Sequence, residues 1–225
     1  MKIIDEIKRF KTRYDYGKIG NGVLYEMCKK YPYHDDIAEV VGKTWIVGRS
    51  YAVSLERNKN NKNISDDFYS KKVAPAFVKG GKGGFDKILS DVRKLRGLKE
   101  ENIPIMLKTH KEAVDFIHRW ITGDDKRSFA SKYLHFHFPK LFFIYDSRAA
   151  SAISAVAYAA GESRKEHKKY IKNPQEFDEN YAVFFAKCFY FYEFCRKNGV
   201  PLTTRQVDSF LVEKANGIIR SKKRR

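Results

Sequence analysis

The apolar residues of this chain recur every three or four positions in one segment after another. Such spacing places apolar side chains on one face of a helix. No stretch alternates apolar and polar residues in the manner of a half-buried strand, and the only β-like run, at 141–145, is short and isolated. The sequence therefore predicts an all-α fold. The main helices are expected at 1–16, 35–57, 66–78, 85–95, 110–122, 128–137, 147–160 and 178–197. Pro75 is expected to bend or split the helix at 66–78, and the segment 101–107 has no assignment because Pro104 interrupts it.

Length and composition favour one folded domain over residues 1–225. The chain has 225 residues, of which 43% are apolar, enough for one large domain or two lobes that share a core. A polar run, NKNNKN, makes residues 58–65 the candidate division between two lobes. Residues 220–225 form a basic tail.

The charge points to a polyanionic partner. With 45 basic and 27 acidic residues, the net charge is +18, and nucleic acid is the commonest partner of such a chain. The N-terminus lacks the apolar core of a signal peptide, and no apolar run is long enough to span a bilayer. Three cysteines without a C-x-x-C pair indicate a reducing compartment. We therefore expect a cytoplasmic protein without a membrane partner.

One stretch, residues 128–149, organises the functional argument. A predicted helix ends at Pro139, an apolar run follows, and Asp146 then opens a helix rich in alanine that ends at Gly161. Asp146 thus occupies an N-cap position, where unpaired amides and the helix dipole favour an ionised carboxylate. A carboxylate at this position is either a cap or a catalytic group.

Two further motifs suggest sites with less force. The glycine loop KGGKGG at 79–84 could hold phosphate through its backbone amides and through Lys79 and Lys82, or it could be a flexible connection between helices. His135 and His137 are two residues apart on a predicted helix, so they do not share a face. No cysteine or carboxylate completes a metal-ligand set with them, and we expect neither a metal nor a cofactor.

The order of a lysine-bearing helix, an apolar run and an aspartate that opens a helix resembles the helix-hairpin-helix DNA glycosylases, in particular the oxoguanine-glycosylase-like branch. The resemblance covers roughly residues 119–160. It implies that Lys132, within SFASKYL, corresponds to the lysine that attacks the sugar, and that Asp146, within FIYDSRA, corresponds to the catalytic aspartate. The family hairpin carries a glycine pair before the lysine, where this chain has Ser128 and Ala130.

The resemblance implies a helix-hairpin-helix glycosylase-like fold and a base flipped out of double-stranded DNA. Asp146 would stabilise the positive charge that develops on the sugar, and Lys132 could form a Schiff base that leads to strand cleavage. The candidate stacking residues, each of which could instead belong to the core, are Trp120, Tyr133, His135 and Tyr145. The candidate phosphate contacts, each of which could instead be solvated surface, are Lys79, Lys82, Lys126, Arg127 and Arg148.

Three functions follow from these observations. The first is a monomeric DNA glycosylase that removes a damaged or modified base, in repair or in defence against phage. The second is a noncatalytic DNA- or RNA-binding protein in which Asp146 only caps a helix. The third, a metal-dependent nuclease, would need clustered carboxylates, and the sequence offers none.

Overall fold

The computed structural model describes residues 2–13, 15, 17–56, 67–81, 83–163, 168–169, 171 and 176–223, with side chains as far as residue 217. Within these residues the chain forms ten α-helices and no strand, so the predicted all-α class is confirmed. The helices are α1 (Lys2–Lys11), α2 (Lys18–Lys30), α3 (Ile37–Ser50), α4 (Ala74–Lys79), α5 (Gly84–Leu89), α6 (Ile103–Ile117), α7 (Arg127–His137), α8 (Ser147–Ala159), α9 (Glu179–Lys197) and α10 (Thr204–Lys223). Within the same residues, no helix is both long enough and apolar enough to cross a bilayer.

The chain forms two compact units. Unit 1 comprises Met1–Tyr16 and Lys140–Arg225, and unit 2 comprises Gly17–Pro139. The lobe division predicted at 58–65 lies outside the described residues.

Unit 1 is built on α8, which packs against α9 and α10. Five aromatic residues of α9 contribute to its core, and Tyr181, Phe185 and Phe191 among them are fully buried. Phe191 stacks on Phe210 of α10 at 5.5 Å, and Phe10 of α1 meets the same ring edge-on at 5.4 Å. Burial of each such ring contributes roughly 1.5–3 kcal/mol relative to exposure, so α9 anchors the helix that begins after Asp146.

Unit 2 is built around α7, which contacts α2, α3 and α6. All eight residues from 129 to 136 are buried, because neighbouring helices cover more than one face of α7. A surface helix buries only one stripe of its residues. The sequence indicated such a stripe for α7, so the extent of its burial is a finding of the structure.

Two prolines act as helix starts in unit 2. The sequence predicted a helix from residue 110 and gave 101–107, which contains Pro104, no assignment, whereas α6 begins at Ile103 with Pro104 in its first turn. Proline is tolerated there because the first-turn amides have no partner within the helix. Pro75 likewise lies in the first turn of α4, directly after a π-helical segment at Tyr69–Val73, so the expected interruption near Pro75 is a change of helix type.

Candidate functional site

Asp146 of unit 1 caps α8. Its backbone is extended, with φ −136° and ψ 145°, and its Oδ1 accepts hydrogen bonds from the backbone N of Arg148 at 2.9 Å and from the Arg148 Nε at 3.2 Å. The Asp146 side chain is 21% exposed. The carboxylate is therefore fixed by its own helix and still borders solvent, and Arg148, predicted as a phosphate contact, is its ion-pair partner.

The apolar run before Asp146 holds the carboxylate in place. Residues 141–144 are buried without forming a strand, and the Phe143 carbonyl accepts a hydrogen bond from the Tyr181 hydroxyl at 2.9 Å. Tyr145 meets the ring of Phe184 edge-on at 5.1 Å. Tyr145, predicted to stack on a base, thus contacts the aromatic face of α9 through this ring.

Lys132 lies in the interior of unit 2. Only 1% of the residue is exposed, its Nζ donates to the Ser128 Oγ at 2.7 Å, and the ammonium lies 5.8 Å from the centre of the Tyr51 ring. The two predicted catalytic residues therefore belong to different units, Lys132 to unit 2 and Asp146 to unit 1.

The other predicted residues of unit 2 divide into exposed and buried groups. Trp120 is 44% exposed and Lys79 is exposed at the end of α4, whereas Tyr133 and His135 are buried in α7, at 1% and 0% exposure. The remaining predicted phosphate contacts of this unit are Lys126, which pairs with Asp124 at 3.4 Å, Arg127, which is half-buried at the start of α7, and Lys82, which lies outside the described residues.

The two buried stacking candidates are hydrogen-bonded within the core of unit 2. The Nε2 of His135 and the Tyr25 hydroxyl are 2.7 Å apart, and the Tyr133 hydroxyl lies 2.7 Å from the Nε2 of His34. In this conformation Tyr133 and His135 fill the core positions that the sequence left open as an alternative. Of the three candidates in unit 2, Trp120 has a ring accessible to a base.

A polar network that the sequence did not predict surrounds His34. The Nδ1 of His34 donates to Asp86 Oδ1 at 2.9 Å, and its backbone N donates to Asp86 Oδ2 at 2.7 Å. Arg93 donates to the same Asp86 Oδ1 at 2.5 Å and to the Pro32 carbonyl at 2.7 Å. Tyr133 completes the chain of contacts through its hydroxyl, so the network ties the loop before α3 to α5 and α7.

Protonation in this network follows from its geometry. Burial lowers the pKa of His34 to about 4, although the bond to Asp86 opposes the shift. Burial acts to raise the pKa of Asp86, but hydrogen bonds and charge from His34 and Arg93 outweigh it and hold that pKa well below its usual range. At neutral pH Asp86 is therefore ionised and His34 neutral, so the His34 Nε2 accepts from the Tyr133 hydroxyl, whose pKa burial raises well above the ordinary value.

Two further buried groups lie near the network. The Nζ of Lys43, a fully buried residue, donates to the carbonyls of Tyr31 at 2.7 Å and Tyr33 at 2.5 Å. His137 stacks on His34 at 5.3 Å and donates from Nδ1 to the Tyr133 carbonyl at 3.0 Å, while its buried Nε2 has no hydrogen-bond partner in the described part of the chain. Burial lowers the pKa of His137 well below its ordinary value, which keeps the ring neutral.

A pocket of about 520 Å³ opens beside this network, within unit 2. A volume of this size is typical of sites for small organic groups. Burial raises the pKa of its one cysteine, Cys28, to about 12, so that thiol stays protonated and is a poor nucleophile. The lining residues are Tyr25, Glu26, Cys28, Lys29, Pro32, Tyr33, Arg93, Phe136, His137, Phe138 and Pro139.

Local sequence patterns could have indicated only part of this network. Lys43 falls between Val40 and Val47 on the apolar face of α3, and a charged residue on such a face is a signal of a buried ammonium. The pairing of His34 with Asp86 and Tyr133 spans 52 and 99 residues, so no local motif could predict it. Across the described residues, no group of three or more His, Cys, Asp or Glu side chains is arranged to hold a metal ion.

Comparisons of the chain with protein-family models, with curated proteins and with solved structures found no match.

Proposed function

We propose that the protein is a DNA glycosylase that hydrolyses the bond between a damaged or modified base and its deoxyribose. The observation that supports the proposal is the Asp146 carboxylate, held by the first turn of α8 and still 21% exposed in its side chain. A net charge of +18 supports a DNA partner.

Asp146 would act on the charge that develops during bond cleavage. When the base leaves with the bonding electrons, positive charge builds on the sugar, and a fixed carboxylate beside the sugar stabilises it. Water then adds its oxygen to C1′ of the sugar, its proton passes to a base such as the carboxylate, and the product is an abasic site. The bonds from the Arg148 backbone and side chain fix the carboxylate before the substrate arrives.

The surroundings of Lys132 favour base release without strand cleavage. A Schiff base requires the lysine amine to reach C1′ of the sugar, yet Lys132 is 1% exposed and its Nζ is bonded to Ser128. We therefore expect the reaction to stop at the abasic site. If strand breaks appear without alkali and disappear in Lys132→Met, this part of the proposal is wrong.

The test is an abasic-site assay on a panel of DNAs that carry modified bases, including phage DNA with substituted cytosines. The wild-type protein should produce abasic sites on at least one member of the panel, and Asp146→Asn should lose that activity. A matched control is Asp36→Asn, since Asp36 caps α3 by accepting from the backbone N of Glu39 at 2.9 Å. The control should retain full activity.

A noncatalytic DNA- or RNA-binding protein is the second candidate, and the cap geometry favours it. The two hydrogen bonds that Asp146 Oδ1 accepts from Arg148 stabilise the start of α8, and this role requires no catalysis. Under this alternative, wild type and Asp146→Asn bind DNA equally and neither releases a base from any substrate of the panel.

A further inference from the structure

A glycine-rich turn between α4 and α5 forms a surface that the base-excision chemistry does not use. The backbone φ is +68° at Gly81, +96° at Gly83 and +62° at Gly84, values that residues with side chains rarely adopt. A Cβ at Gly80 would lie 2.9 Å from the Cζ of Phe116 in α6, too close for a real contact. The turn therefore needs its glycines, and Gly80 lies directly against α6.

An exposed tryptophan borders this turn. Trp120 follows α6 in a π-helical segment, His118–Thr122, and is 44% exposed. A Cβ built at Gly81 would lie 4.0 Å from the Cζ2 of Trp120, so the indole edge reaches the turn. A large and partly exposed aromatic ring beside the glycines of this turn leaves room for a flat ligand.

Three basic residues flank the turn and the tryptophan along the chain. Lys79 precedes the glycines, Arg119 precedes Trp120, and the stem of Lys87 lies 3.5 Å from the position of a Cβ at Gly83. All three residues are exposed, and none forms an ion pair with another described residue. Several other lysines of the same unit do form ion pairs, as Lys111 does with Asp115 at 2.5 Å.

We propose that this surface, made of Lys79, Gly81, Lys87, Arg119 and Trp120, binds an unpaired stretch of DNA. The cations would contact successive phosphates, and a base would stack on the indole ring, as on the platforms that bind single strands in other proteins. A duplex cannot use the ring in this way because its bases already stack on one another. The choice of DNA over RNA rests on the proposed function, whereas the site itself lies wholly in unit 2 and does not need Asp146.

Trp45 provides a matched control within unit 2. It is 48% exposed on α3, and the Arg49 guanidinium lies 5.9 Å from its ring centre. Arg49, however, pairs with Glu56 at 2.6 Å. Trp45 thus offers a similar ring whose nearby cation is already neutralised, and it lacks a glycine turn beside it.

The experiment measures the fluorescence anisotropy of a labelled oligothymidylate with wild type, Trp120→Ala and Trp45→Ala. Trp120→Ala should weaken binding roughly 5- to 150-fold, the effect of losing one base-stacking contact. Trp45→Ala should bind as wild type does. Lys79→Gln should reduce the slope of log affinity against log salt by about 0.7, the value for one phosphate contact on a single strand.

Folding is controlled by circular dichroism and by Trp120→Phe, which keeps an aromatic face and should bind with an intermediate affinity. In a Trp45→Phe background the oligonucleotide should quench the fluorescence of Trp120. Equal losses in the two tryptophan variants would overturn the proposal, as would a Trp120→Ala protein that loses as much affinity for the matching duplex as for the oligothymidylate, or tighter binding of an oligouridylate. If no base is released anywhere but Trp120→Ala alone loses binding, the glycosylase proposal fails and this one stands.

Discussion

Helices α7 and α8 differ in how much of their surface the protein covers. In α7, all eight residues from 129 to 136 are buried. In α8 the buried residues recur every three or four positions, and the opposite face, including Arg148 and Ser151, is exposed. A helix covered on several faces can present side chains to a macromolecule only if its neighbours move, whereas a helix with a free face can present them directly.

The same difference in burial distinguishes Lys132 from Asp146, the two residues that correspond to the catalytic lysine and aspartate in the family resemblance. Lys132 lies within the buried part of α7, and Asp146 stands at the partly exposed start of α8. The resemblance therefore has a different consequence for each residue, because only Asp146 is partly exposed in this structure. The Asp146 side chain is 21% exposed and borders solvent, whereas Lys132 lies in the interior of unit 2.

The largest expected effect comes from truncating the centre of α7. Tyr133→Ala should lower the free energy of unfolding by roughly 3–5 kcal/mol, because it leaves a cavity and removes the hydroxyl bonded to His34. Ser151→Ala, on the exposed face of α8, should change it by less than about 0.5 kcal/mol. Chemical unfolding of both variants measures the contrast, and a loss below about 1 kcal/mol for Tyr133→Ala would contradict the account of α7 as a core helix.

The next effect is the dependence of stability on pH. Since burial lowers the pKa of His34 to about 4 from an ordinary 6.5, the unfolded chain binds more protons than the folded one between those values. Stability should therefore fall as pH drops from 6.5 to 4, by roughly 3 kcal/mol for this residue. The depressed pKa of Asp86 adds a further loss only at lower pH, below the ordinary value of a carboxyl group.

Urea unfolding at pH 7 and pH 4.5 tests this prediction. The matched variant is His34→Gln, which removes the titrating ring. Its stability should be lower at pH 7 and should depend less steeply on pH. Equal stability of the wild type at both pH values would show that His34 is not held neutral in the folded protein.

The smallest expected effect concerns the cap of α8. Asp146→Ala should lower the free energy of unfolding by about 1 kcal/mol, the usual cost of losing an N-cap, and Asp146→Asn by only a few tenths. Thermal unfolding of both variants measures these losses. Asp36→Ala and Asp36→Asn are the controls, because Asp36 caps α3 in the same way. A much larger loss at Asp146 than at Asp36 would mean that its carboxylate stabilises more than its own helix.

Local physical signals were sufficient for the class of fold and for the cap. Apolar spacing indicated the helices, and the position of Asp146 after a buried run and before an alanine-rich helix predicted its N-cap geometry, which the structure bears out. The start of α6 was not predicted, because proline disrupts the interior of a helix but is tolerated in its first turn, where Pro104 lies. The burial of Lys132 and Tyr133 depended on three other helices that cover α7, information that no window of the sequence contains.

The polar network around His34 could not be predicted from the sequence for the same reason. His34 contacts Asp86 and Tyr133, which lie 52 and 99 residues further along the chain, and no local sequence motif marks either contact. The composition of the glycine turn is visible in the sequence. The proximity of this turn to Trp120, however, follows from the packing of the turn against α6.

Whether Asp146 is a catalytic carboxylate and not only a cap is tested by the rate of base release by Asp146→Asn under single-turnover conditions. We expect thermal stability within a few tenths of a kcal/mol of wild type together with a loss of at least about 100-fold in rate, while Asp36→Asn keeps both. An Asp146→Asn protein that releases the base as fast as wild type would contradict the claim.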